Sequence, residues 1–243
     1  MFLRFALSFY VSLLIGLAHA HECGGGDVFE GSVSEGTISQ FSIVGHDHKF
    51  GLSHIIQSDR QAFFQKVPTN KKIRIETSEG TKDRYGRRLG VVSFDGQSLQ
   101  ETLLSDGKAL IAVQAIDPAC LQVLRAAEAR GRRSKAGVWA EGSFPIKTND
   151  LEELTKHEGQ FVVAEGRIRS VGNRESLIYL NFGKFWSEDF TVIAHKKGRQ
   201  RFRGDLDALT ARSGANVRVR GIIEISGGPM IRLLHESQIE TSQ

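Results

Sequence analysis

Hydrophobic residues recur in short alternating runs along most of the chain. Val28–Val33, Thr37–Val44 and Lys49–Ile56 read as three short strands, with turns at Glu35-Gly36 and Gly45–His48. Asp59–Lys66 reads as a short helix and Lys71–Thr77 as a strand. Arg84–Phe94 sets Leu89, Val91, Val92 and Phe94 among β-favouring neighbours, and Asp95-Gly96 is a turn pair in which Gly accepts positive φ. Ser98 and Glu101 have capping-box spacing, and Leu99, Leu103 and Leu104 fall on one helical face. Gly107 stops that helix, Lys108–Val113 returns to a strand, and Ala119–Lys135 forms a basic helix.

Glu141–Asp150, with Pro145 among polar residues, reads as a linker. Beyond it Asp150 caps a helix over Leu151–His157. Strands are then expected over Gln160–Ser170, Glu175–Phe182, Phe190–Lys196, Asn216–Ile225 and Pro229–Leu234, with a helix near Leu206–Arg212. Each half therefore has the elements of a small closed barrel of the OB type. The predicted fold class is mainly β with helices (β-barrel, α+β), as two OB-fold-like five-stranded barrels in tandem. The expected domains are residues 21–145 and 146–243.

Residues 1–20 stand outside that scheme. Arg4 is their only charge, Phe5–Leu17 is apolar, and Ala18-His19-Ala20 has the form of a cleavage site, so they read as a signal peptide cut near Ala20. The apolar run is short for a membrane span, and no stop-transfer pattern follows it. The expectation is an exported protein, periplasmic or secreted, without a membrane span once processed. Export makes a disulfide between Cys23 and Cys120 plausible, the only two cysteines in the sequence.

The formal net charge is +4, a mild excess that identifies no partner by itself. Its distribution is more telling. Arg84, Arg87 and Arg88 cluster, Arg125–Lys135 holds five bases against one acid, and Lys196–Arg203 holds Lys196, Lys197, Arg199, Arg201 and Arg203 with no acid. Bases on separate elements can form a stripe for phosphates, although solvated surface explains any single cluster as well. Tyr179, Phe182, Phe185 and Trp186 lie near the last cluster. Aromatics and bases on one face would stack bases and follow phosphates. Tyr179 or Phe182 is expected in the core, because they cannot both share the face of Ile178 and Leu180. Trp186, just outside the strand among polar residues, is the best stacking candidate.

Tyr85-Gly86-Arg87, Asp95-Gly96, Leu99–Ala109 and the helix AAEARGRRSKAGVW keep an order that resembles the second half of a staphylococcal-nuclease-like (thermonuclease) domain. The resemblance implies an OB barrel over roughly residues 27–140. It also implies phosphodiester hydrolysis with one Ca²⁺ held by carboxylates, a Glu assisting water, and two arginines on the phosphate. Of the three places where the family carries these groups, one is intact here, as Arg87. Ser34-Glu35-Gly36-Thr37 keeps a Gly-Thr turn but lacks a second Asp. Along Phe50–Asp59 the family's Arg position is Gly51, its metal-binding Asp is Ile56, its Pro is Ser58, and its Glu position holds Asp59. Asp59 is a residual catalytic candidate that serves equally as a helix N-cap. Arg87 has its own alternative role, bracing the turn by pairing with Asp83. Gly45-His46-Asp47-His48, with His54 nearby, offers a metal alternative, but its place in a hairpin turn explains its composition.

The second half (EGRIRSV, IYLNFG, FTVIA, VRVRGII) looks like OB modules of the nucleic-acid-binding type. The leading expectation is an exported, non-catalytic thermonuclease-like protein binding nucleic acid or another polyanion, with no cofactor. The alternatives are an active divalent-metal-dependent nuclease with a rearranged site, using Ca²⁺, and a periplasmic protein-binding module.

Overall fold

The computed structural model describes residues 23–36, 40–58, 66–67, 71–112, 116–140, 144–185 and 188–242. Residues 1–20, Thr37, Asp59 and Trp186 lie outside them. The chain divides into two compact units, the change falling between Trp139 and Ala140.

The first unit contains β1 (Val28–Gly36), β2 (Phe41–Ile43), β3 (Lys49–Leu52), β4 (Ile55–Gln57), β5 (Lys72–Lys82), β6 (Arg88–Phe94), β7 (Gln97–Ser98), helix α1 (Leu99–Ser105), β8 (Ala109–Ile111) and helix α2 (Pro118–Arg133). Strands β3, β2, β1, β5 and β6 follow one another antiparallel, and β6 lies parallel beside β3, which closes a five-stranded barrel. Phe50, Ile75 and Val92 fill its interior, continuous with Leu103, Leu104 and Leu124 of the helices. Ser98 accepts the Glu101 N–H as the N-cap of α1, as its sequence spacing predicts. Asp95 and Gly96 both take positive φ in the turn before it. Asp117 caps α2 with Pro118 in its first turn, and Arg130, Arg132 and Arg133 sit where the helix dipole favours cations. The two helices approach closely at Gly131, where a Cβ would lie 2.5 Å from the Leu104 carbonyl oxygen.

Two further features fasten α1 and the N-terminus. The amide of Gln100, fully buried, accepts from Val92 N–H and donates to the Gly90 carbonyl, bolting α1 to β6. Cys23 and Cys120 form the expected disulfide, which joins the start of the described chain to α2.

The second unit contains β9 (Ile146–Lys147), helix α3 (Leu151–Lys156), β10 (Phe161–Arg167), β11 (Ser170–Asn173), β12 (Leu177–Asn181), β13 (Thr191–His195), helix α4 (Leu206–Thr210), β14 (Asn216–Ser226), β15 (Gly228–Leu233) and β16 (Ile239–Thr241). Its sheet runs β11-β12-β13-β15-β14-β10-β9, with β13 and β15 parallel. Strand β10 continues into β11 through Ile168 and Arg169, which bond to Ala215 and Asn181 respectively. One bent stretch thus borders β14 at its start and β12 at its end, curling the sheet into a half-barrel. Leaving aside β9, which lies parallel to β10, and β16, which pairs with β14, the strand order matches that of the first unit: antiparallel neighbours and one parallel pair, β13–β15 here and β3–β6 there. The chain is mainly β with four described α-helices, in two OB-like units.

Several sequence-based boundaries move. The turn expected at Glu35-Gly36 is strand: β1 stays paired to β2 through Gly36 opposite Phe41. The strand expected over Lys49–Ile56 breaks where His54 adopts φ 66°, which sends β4 away from β6 to pair with β8. Arg84 and Arg87 belong to the turn before β6 rather than to that strand. The stretch read as a linker contributes instead to the second core through Phe144 and Ile146, and β9 pairs with β10. The single strand Gln160–Ser170 is two strands.

Candidate nucleic-acid interface

Asp83–Arg87 forms the loop between β5 and β6. The Asp83 carboxylate organises it. Oδ1 accepts the backbone N–H groups of Tyr85 and Arg87, at 2.9 and 3.0 Å. Oδ2 accepts from Arg87 Nε at 2.8 Å and Nη2 at 2.6 Å. Burial alone would raise the Asp83 pKa, but the hydrogen bonds from the Arg87 side chain and from the Arg87 and Tyr85 backbone outweigh it and hold it below the ordinary carboxylate value. Arg87 is therefore a brace of its own turn, the alternative role that Asp83 offered it. Arg88 pairs with Asp27 at 2.6 Å and lies 5.3 Å from the Phe29 ring centre. Tyr85 projects into solvent, 62% exposed, with the guanidinium carbons of Arg84 and Arg87 4.8 and 5.1 Å from its ring centre.

Two positions that the resemblance assigns to the family's charged groups carry no charge here. Ile56, in β4, is a 39% exposed aliphatic side chain with no donor oxygen for a hard cation. Gly51 lies opposite Leu89 in the β3–β6 register and offers no guanidinium. Among the described residues no three His, Cys, Asp or Glu side chains group to hold a metal. The Ile56 side chain does not fit the Ca²⁺ that the resemblance implies. The histidines near the β2–β3 turn have other engagements. His46 and His48 pack edge-on against Phe29, and His54 Nε2 donates to the Cys23 carbonyl. Burial lowers the His54 pKa, and the Cys23 hydrogen bond only partly opposes this. The α2 bases are largely committed as well. Arg130 faces Glu101, and Arg132 faces the buried Glu128 and lies over Trp139.

The second unit distributes its bases differently. Lys196 Nζ donates to the Asn173 side-chain oxygen, and Lys197 pairs loosely with the exposed Glu175 at 3.5 Å. Arg199, Arg201 and Arg203 are exposed, and among the described residues they show no ion pair. Phe182 packs against the second core and against Phe190, with ring centres 5.1 Å apart, so it is the core member of the Tyr179/Phe182 pair. Tyr179 instead stands half-buried on the outer face of β12, with Ile178 and Leu180 turned inward. Sequence reasoning undervalued Tyr179, although the alternation of Ile178 and Leu180 contains the signal. A separate network, Lys147–Glu165–Arg218–Glu240–Arg220, ties β9, β10, β14 and β16 together. Burial would raise the Glu165 pKa, but bonds from Lys147 and Arg218 lower it overall.

Comparison with known proteins places the first unit. The family model described as staphylococcal nuclease homologue matches residues 56–141. Endonuclease YncB of Bacillus subtilis (strain 168) is 33% identical over 82 residues, which is 33% of this chain and 39% of that protein. The SPbeta prophage-derived endonuclease YokF of the same organism is 32% identical over 82 residues, 33% of this chain and 28% of that protein. The shared stretch thus spans well under half of either relative. The family match begins at Ile56 and includes Arg87, whereas Ser34–Thr37 precedes it. With the closed five-stranded barrel and the Tyr85-Gly86-Arg87 turn, it makes the first unit a staphylococcal-nuclease-like domain.

Proposed function

We propose that this is an exported protein that binds nucleic acid or a related polyanion through a nuclease-like barrel without hydrolysing it. The observation that carries the reading is the residue at Ile56: the position that resembles the family's metal-binding Asp holds a half-exposed aliphatic side chain. Around it the barrel, the Tyr85–Arg87 turn and both helices are intact. Arg87 alone does not make a hydrolytic site: its neighbouring carboxylate, Asp83, is spent on bracing the turn, and among the described residues no three His, Cys, Asp or Glu side chains group to hold a metal. Bases without a carboxylate partner among the described residues, as at Arg199, Arg201 and Arg203, support binding. Residues 1–20, read as a signal peptide, and the Cys23–Cys120 bridge support export.

A second reading, an active divalent-metal-dependent phosphodiesterase with a rearranged site, draws on the names of the two relatives, both endonucleases. In it, Asp59 and Arg87 would be the surviving catalytic groups.

The binding half is tested by titrating the processed protein with labelled single-stranded DNA and RNA across salt concentrations. Neutralised phosphates release counterions, so log K should fall against log salt by about 0.7 per phosphate contact on a single strand. A slope of several units is the expected result. No measurable binding to either strand at low salt overturns the reading and moves a protein partner ahead.

A further inference from the structure

The outer face of the second unit carries a feature that the basic clusters do not account for. Strands β11 and β12 pair with Gly172 opposite Tyr179 and Ser170 opposite Asn181. Gly172, Arg174, Tyr179 and Asn181 line an open cleft of about 300 Å³. A cleft of this size is at the small end of ligand sites, with room for one ring system. Its apolar wall is the Tyr179 ring, and its polar groups are the Asn181 amide and the Arg174 guanidinium.

Gly172 keeps that wall uncovered. A Cβ built on it would sit 3.6 Å from Tyr179 Cβ and Cδ2, an ordinary contact. Packing therefore does not demand glycine here, and Gly172 is not among the positive-φ residues. A longer side chain would extend along the ring and fill the cleft.

The bases gather at one end of this face. Leu177 is opposite His195 in the β12–β13 register, Lys196 N–H donates to the Ser176 carbonyl, and Lys196 Nζ reaches Asn173. The segment from Lys196 to Arg201 thus leaves β13 beside the turn that joins β11 to β12, where Arg174 sits. Glu175, paired with Lys197, is the acid at that end. An aromatic wall with a run of cations beside it suits a base attached to a phosphate chain. Duplex bases are stacked on one another and cannot enter such a cleft, whereas bases of a single strand can.

We infer that Tyr179 is a stacking platform for one unpaired base of a single-stranded nucleic acid, with Arg174 and the Lys196–Arg201 segment following the adjoining phosphates. The inference rests on the nucleic-acid reading above and adds a strand class and a new contact residue to it.

The test uses the processed full-length protein and a fluorescein-labelled oligothymidylate of about 16 nucleotides, the upper end of site sizes for one OB unit. Tyr179→Ala and Gly172→Val are compared with wild type, alongside Tyr179→Trp. Valine suits a strand, so Gly172→Val retains the fold while covering the ring. Both blocking variants should lose about five-fold or more in affinity, Tyr179→Trp should retain it, and binding to inorganic polyphosphate should be unchanged in all three. If Gly172→Val and Tyr179→Ala bind the oligonucleotide like wild type, the platform is wrong while the nucleic-acid reading stands. An equal loss toward polyphosphate also overturns it, since the variants would then have disturbed charge. If wild type binds no oligonucleotide at low salt, both readings fall.

Discussion

Two arginine clusters that look alike in sequence end up in different states. Around Tyr85 two of the three arginines are held by acids: Asp83 takes Arg87, and Asp27 takes Arg88. Along Lys196–Arg203 no acid occurs, and Arg199, Arg201 and Arg203 stand exposed without an ion pair among the described residues. The difference shows that the acids within reach, and not the count of bases, decide whether a cluster braces the fold or is available to a ligand. It also locates the two sources of functional expectation. The first unit carries the family resemblance, and the second carries the more available charge.

The largest expected effect concerns how firmly the first unit is fastened. Reducing the Cys23–Cys120 bridge, or changing both cysteines to serine, should destabilise the protein by about 2–5 kcal/mol. Denaturant titration with and without reductant measures this. A loss below a few tenths of a kcal/mol would mean that the bridge contributes nothing to holding the N-terminus on α2.

Binding separates the clusters next. Charge reversal at Arg199 and Arg201 should lower the salt slope by about 1.4 if each neutralises one phosphate of a single strand. Trp186→Ala should lower affinity and leave the slope nearly unchanged, because stacking is not ionic. Arg88→Glu, at a base already paired with Asp27, should move the slope less than either reversal in the second unit. The opposite ranking would put the phosphate path on the nuclease-like barrel.

A smaller effect tests the Asp83 brace. Its carboxyl has a lowered folded-state pKa, so its contribution is complete above the unfolded value and is lost as pH falls through the folded value. Amide exchange at Tyr85 and Arg87 should therefore quicken selectively in acid, and Asp83→Asn should remove that pH dependence. Arg87→Ala should cost about 0.5–1 kcal/mol, the range of a partly exposed pair. Exchange rates that do not differ between wild type and Asp83→Asn in acid would show that the loop is held some other way.

The sequence reveals those parts of the fold whose causes are local. Ser98 with Glu101, Asp95-Gly96 and the Leu99/Leu103/Leu104 stripe locate α1, since cap, turn and stripe lie within a dozen residues. Features that depend on distant partners are hidden. Nothing local marks His54 as the residue that turns the chain, because its conformation is supported by contacts with Cys23 and Ala112. The burial of Gln100 depends on β6, whose Val92 N–H and Gly90 carbonyl it bonds. Ile146 reads as part of a linker until β10 offers it a neighbour. At the candidate site, Ile56 stands where the resemblance expects a carboxylate, and the Asp83–Arg87 pairing is legible by proximity. The exposure of Tyr179 required knowing which face of β12 the core takes.

Binding without cleavage can be read from the length of a strand that the protein has held. End-labelled single-stranded DNA is incubated with the processed protein in Ca²⁺, Mn²⁺ or Zn²⁺ until bound, then released in high salt and sized on a denaturing gel. The bound strand should be recovered at full length with every ion. Shortened products that disappear on chelation and in Arg87→Ala would contradict it and establish an active nuclease with a rearranged site.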